Sequence, residues 1–125
     1  EKAARGGVDG LDYPWGDDLP EWMNPHHRGD AIERPDRVGE GQANGYCLHN
    51  MADLVHEWCS DWYDAGYYAT APSTNPTGPE EGVRRASRGG SWRHAIKVTR
   101  CAARSSILPD RQLTDYGFRL AADSS

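Results

Sequence analysis

The chain has 125 residues, a formal net charge of −5, a mean hydropathy of −0.84 and 37% hydrophobic residues. That length supports one domain with a single modest core. No apolar run approaches the ~20 residues of a membrane-spanning helix, no stretch reads as a signal peptide, and fourteen glycines with eight prolines exclude a helical bundle.

The opening "EKAARGG" reads as the last turn of a helix closed by a glycine stop. The chain is therefore expected to be part of a larger protein whose earlier portion is missing. Residues 8–45 are dense in Gly, Pro, Asp and Asn and predict irregular loop, unusually long unless pinned or functional. In "YCLHNMADLVHEWCSDWY" the pattern of Val55, Trp58 and Trp62 predicts a short strand over 55–62. Residues 64–82 are loop again. "VRRASRGGSWRHAIKVTRCAARSS" reads as two extended arms broken by Gly89-Gly90, followed by a loop and a final strand in "YGFRLAA". With five Trp and six Tyr but one Phe, core volume is expected from aromatics that also need hydrogen-bond partners.

Charge is unevenly placed. Nine Lys and Arg face two acids between Arg84 and Arg119, whereas residues 1–83 are strongly acidic. A basic stretch can mark a nucleic-acid footprint, but no nucleic-acid motif accompanies it. The arginines are instead expected to pair with carboxylates of the same domain, and neither nucleic acid nor membrane is expected as a partner. Three cysteines, Cys47, Cys59 and Cys101, do not make a secreted disulfide framework, and a cytoplasmic setting is expected. Cys47, His49, His56, Glu57 and Cys59 crowd into thirteen residues and form a conceivable zinc set, although strand residues 56, 57 and 59 do not share a face.

The segments "YPWGDDLPEWMN", "NGYCLHNMADLVHEWCSDWY", "NPTGPEEGVRRASRGGSW", "RCAARSS" and "DYGFRLA", in that order, closely resemble the formylglycine-generating enzyme, or sulfatase-modifying factor, family. The resemblance implies an α+β, C-type-lectin-like fold with much irregular structure. On this reading residues 1–125 are the C-terminal portion of a single such domain. It also implies tests of chemistry. The family's oxidase uses a cysteine pair between the Gly-Gly-Ser turn and "RCAAR", where soft thiolates suit copper(I). Here that interval is "RHAIKVT", with His94 at a catalytic-loop position and no cysteine. Formylglycine generation by that route is not expected.

The family's calcium site, built from hard oxygen ligands, implies Asp53 and Glu57 of "DLVHE" as ligands, with Asn24 of "WMNPHH" at a second site. Calcium is thus the expected metal if one binds. Cys101 of "RCAAR" lacks its family partner, since Ala4 stands at that position, and is expected to be a free buried thiol. Ser91 of the turn is expected to face the family's substrate groove, with Trp92, Arg93 and His94 beside it as ligand contacts. Arg100, Arg104 and Arg119 are expected in internal ion pairs with Asp61 or Glu57.

Fold alone does not settle function, and three readings stay open. The first is a non-oxidase domain whose groove binds a peptide or small metabolite, or which supports a partner catalytic domain, with a second chain or segment completing it. The second is an iron- or copper-dependent oxidoreductase with ligands in the missing portion. The third is a variable ligand-binding protein of a diversity-generating retroelement, diversified over residues 92–116. Lys97 and Gln112 count against the third, because adenine-directed mutation of pyrimidine-ending Asn codons yields neither.

Overall fold

The computed structural model describes residues 1–18, 37–52 and 54–122. One helical turn, α1 (Lys2–Arg5), leads the chain, and Gly6 ends it at φ 63°, a left-handed position that glycine takes without penalty. A side chain is excluded there for a second reason. A Cβ on Gly6 would lie 2.6 Å from the Gly45 nitrogen, and one on Gly45 would lie 2.3 Å from the Gly6 oxygen. Asn44 seats this contact: its Nδ2 donates to the carbonyls of Ala3 (2.6 Å) and Ala4 (3.2 Å), and its Oδ1 accepts from the amides of Tyr46 (3.0 Å) and Leu48 (3.2 Å). The open end of α1 is capped by a loop forty residues away in sequence.

Four short strands make one sheet: β1 (His56–Trp62), β2 (Arg85–Arg88), β3 (Ser105–Ile107) and β4 (Tyr116–Gly117), in the order β3-β2-β1-β4. β2 runs antiparallel to both β1 and β3, pairing Trp58 with Ser87 and Ala86 with Ser106. β4 pairs with β1 in parallel, His56 beside Tyr116 and Glu57 beside Gly117. β1 matches its sequence expectation closely. The extended arm expected after Gly89-Gly90 does not form at once: residues 91–95 turn, Ile96–Thr99 make a 3-10 helix, and only Ser105–Ile107 return to the sheet. No helix among the described residues is long and apolar enough to cross a membrane.

The buried interior is smaller and more polar than the aromatic count suggested. Its apolar members are Ala4, Ala52, Leu54, Ala86, Ile96, Cys101 and Ile107, and its most completely buried side chains of any size are Thr99, Ser87 and Ser91. Trp15, Trp58, Trp62, Trp92 and Tyr116 are half-buried. A single narrow sheet cannot enclose so many large rings, so they pack against partners instead: Trp58 tilts at 57° against Tyr116 (5.5 Å), and the Arg85 guanidinium lies 3.7 Å over Trp62.

Candidate functional site

Two long-range backbone contacts and one local turn bring the segments of the site to one end of the sheet. The His56 amide donates to the Asp115 carbonyl (2.8 Å), fixing the start of β1 against the entry to β4. The Trp92 amide donates to the Leu54 carbonyl (3.1 Å), and the His94 amide to the Ser91 carbonyl (3.0 Å). The bend that delivers Ser91 needs glycine: Gly90 sits at φ 67°, and a Cβ there would meet Thr99 Cγ2 at 2.6 Å.

His56, Ser91, His94 and Asp115 form a polar node at this junction. Ser91 Oγ donates to Asp115 Oδ2 (3.0 Å) and lies 3.2 Å from His94 Nδ1. His56 Nε2 and His94 Nδ1 are 2.8 Å apart, and His94 Nε2 lies 3.9 Å from Asp115 Oδ2. The His56 ring stacks on Tyr116 (4.8 Å, 24° between planes), whose hydroxyl meets Ser87 Oγ at 3.3 Å. His56 is 2% exposed, Ser91 0% and Asp115 6%, whereas the His94 side chain is 44% exposed.

Ser91 Oγ–H donates to Asp115 Oδ2, which leaves the Ser91 lone pairs toward His94. Between His56 Nε2 and His94 Nδ1 one ring donates and the other accepts, as the tautomers set. His56 Nδ1 is buried and has no hydrogen-bond partner among the described residues. Burial, reinforced by the adjacent His94 and opposed by Asp115, holds the His56 pKa down to about 4.

This is not a nucleophilic triad. Ser91 is sealed from solvent and gives its proton to a carboxylate, whereas a serine nucleophile is activated by an imidazole that the carboxylate orients. The node's work is positional. It fixes His94 at the surface beside Arg93, whose Nη1 donates to Thr114 Oγ1 (3.2 Å) and whose guanidinium lies 5.4 Å from the Trp92 ring. Of the four residues expected to line the groove, Arg93 is exposed, His94 and Trp92 are half-exposed, and Ser91 acts only through its neighbours. His56 and Asp115 belong to the same cluster and were not among them. Their signals in sequence were faint: a histidine opening the strand, and an acid two residues before the final "GFR".

Of the expected metal ligands, Glu57 alone lies within the described residues. Asn24 and Asp53 lie outside the described residues. Glu57 gives both carboxylate oxygens to Arg119, at 2.6 Å and 2.7 Å, and Arg119 also donates to the carbonyls of His49 and Asn50. A cation at Glu57 would have to share those oxygens. No three His, Cys, Asp or Glu among the described residues gather to hold a metal ion. The conceivable zinc set is dispersed, with Cys47 exposed, His49 on the Gly41 carbonyl and His56 on His94. All three cysteines are free, Cys101 buried among them.

The arginines also depart from expectation. Arg119 pairs with Glu57, but Arg100 Nε donates to the Lys97 carbonyl (3.2 Å), and Arg104 donates to the Asp64 carbonyl (3.2 Å) between the rings of Tyr63 and Tyr68. Neither reaches a carboxylate of a described residue. The ion pairs that the family resemblance implied for Arg100 and Arg104 therefore do not close, and Asp61 lies where the β1–β2 register shifts.

A short mixed sheet carrying long ordered loops, with its polar node at the Gly-Gly-Ser turn, defines a C-type-lectin-like domain of the formylglycine-generating-enzyme kind. The profile of the sulfatase-modifying factor enzyme 1-like domain matches residues 1–124, and the chain belongs to that family. It is 39% identical over 141 aligned positions to the formylglycine-generating enzyme of Thermomonospora curvata, covering 98% of this chain and 46% of the relative. It is 37% identical to the serine/threonine-protein kinase pkn1 of Chlamydia caviae, covering 97% of this chain and 19% of the kinase. Among solved structures it resembles Treponema denticola variable protein 1, with a TM-score of 0.75 and 27% identity over 93% of this chain and 42% of that one. The chain thus spans less than half the length of the formylglycine-generating enzyme it matches.

Proposed function

We propose that this chain is a non-oxidase ligand-binding domain of its family, presenting Arg93 and His94 to a peptide or small metabolite. The observation that carries the reading is the composition of the turn. Where the resemblance places a reactive cysteine pair, this chain has an imidazole hydrogen-bonded to a second imidazole and, through Ser91, tied to a carboxylate. The cysteines it does have lie elsewhere, one exposed, one half-buried and one buried.

The exposed Arg93 guanidinium is a donor held in place by Thr114 Oγ1, which favours a ligand bearing a carboxylate or similar acceptor. The similarity to part of a kinase supports a domain that accompanies another activity. A screen of short peptides and carboxylate metabolites by chemical-shift perturbation tests the proposal. Saturable shifts at residues 91–94 that vanish in Arg93→Ala and His94→Ala support it. Stoichiometric iron or copper in the full-length protein, with thiol-oxidising turnover, would overturn it in favour of the oxidoreductase reading.

A further inference from the structure

A concavity of about 360 Å³ is lined by residues between 97 and 105. Its charged lining is Lys97, Arg100 and Arg104, with Ala102, Ala103 and Ser105 between them. None of the three cations lies within ion-pair distance of a carboxylate among the described residues. In a chain of net charge −5, three uncompensated cations around one hollow are a local inversion of the protein's field.

Two of these cations, the arginines, are anchored to the protein. The Arg104 guanidinium sits 4.8 Å from the Tyr63 ring and 4.7 Å from the Tyr68 ring, and Nη1 donates to the Asp64 carbonyl. Arg100 is anchored by one donor only, Nε to the Lys97 carbonyl, which leaves its terminal nitrogens uncommitted. One lining carbonyl, that of Ala103, is taken by Arg88 Nη1 at 3.2 Å. Small alanine side chains leave room for close approach.

We infer that this hollow is an anion site that takes a phosphate monoester. A doubly charged, three-oxygen group can accept from two guanidinium forks and one ammonium at once, and the planar fork matches phosphate geometry. The site is separate from the Arg93–His94 face and does not rest on the function proposed for it.

The test is a chemical-shift titration of the protein with inorganic phosphate, with sodium chloride at matched ionic strength as the control. Saturable shifts confined to residues 97–105, absent with chloride, are expected. Lys97→Gln and Arg100→Gln, both exposed, should each weaken binding by roughly threefold or more, the range of one charge-assisted contact at a wet surface. A sugar phosphate and a phosphoserine peptide then identify the bearer, by which of them binds more tightly than phosphate alone. Shifts that match those of chloride, that survive both substitutions, or that weaken when the phosphate is esterified would overturn the inference.

Discussion

His56 supplies the sharpest quantitative test of the polar node. Its ring is 2% exposed and its pKa is held at about 4, against 6.5 for an unperturbed histidine. The unfolded chain therefore takes up a proton at pH 6.5 that the folded chain refuses until about pH 4. Because the folded pKa is the lower one, stability is retained above pH 6.5 and lost as pH falls through that window. The slope is about 1.4 kcal/mol per pH unit, and the total is about 3 kcal/mol. For a domain of ordinary stability, some 5–15 kcal/mol, that is a large share.

The charged and titratable groups facing this ring are His94 and Asp115, with Tyr116 stacked on it. Urea unfolding of wild type and His56→Gln at half-unit steps from pH 7.5 to 4 measures the effect, since protonation of other carboxylates is common to both. Wild type should lose about 3 kcal/mol more than the variant over that range. Imidazole carbon–proton resonances followed across the same titration give the His56 pKa directly. Parallel stability curves, or a His56 resonance that titrates at pH 6 or above, would refute the buried neutral His56.

Ser91→Ala removes the donor to Asp115 and leaves a buried carboxylate oxygen unpaired, so urea denaturation should show a loss of about 1–3 kcal/mol. Gly90→Ala meets both a left-handed φ and the Thr99 methyl at 2.6 Å, and should cost more than the ~1 kcal/mol of conformation alone, read as a lowered melting temperature. Arg119→Ala releases Glu57 and the carbonyls of His49 and Asn50 together. A loss on the order of 1–2 kcal/mol in the same assay is expected for a pair this exposed. Of the three thiols, Cys47 alone is exposed, so a thiol reagent should modify one cysteine rapidly in the native protein. Burial raises the pKa of both Cys59 and Cys101, so both should react more slowly, the half-buried Cys59 ahead of the buried Cys101.

What could be read from the chain follows the reach of the forces involved. The Gly89-Gly90 bend was legible because both residues take left-handed φ, a local demand that only glycine meets cheaply. β1 was legible because its bulky residues suit a pleated strand. β3 was not: "SSI" carries no strand pattern, and its extension is imposed by pairing with β2. The arm at 91–100 misled because Ile96 and Val98 alternate like a strand while tertiary contacts fold them into a 3-10 helix. The node was half legible. His94 and Ser91 are neighbours in sequence, but His56 and Asp115 join them through the parallel β1–β4 pairing, which no local pattern encodes.

The clamp at Asn44 bears on how this protein ages. Asn44-Gly45 is the dipeptide in which a backbone nitrogen most readily attacks the preceding amide carbon, closing a ring and releasing ammonia. The product aspartate would set a carboxylate oxygen against the carbonyls of Ala3 and Ala4, where Nδ2 now donates. Gly45 cannot be exchanged for a bulkier, slower-reacting residue, because the Gly6 oxygen occupies the space its side chain would need. The same four hydrogen bonds that make the lesion damaging also restrain the side chain that ring closure must swing onto the Gly45 nitrogen. The lifetime of that bond is therefore tied to how often the loop at 44–48 lets go of the helix it caps.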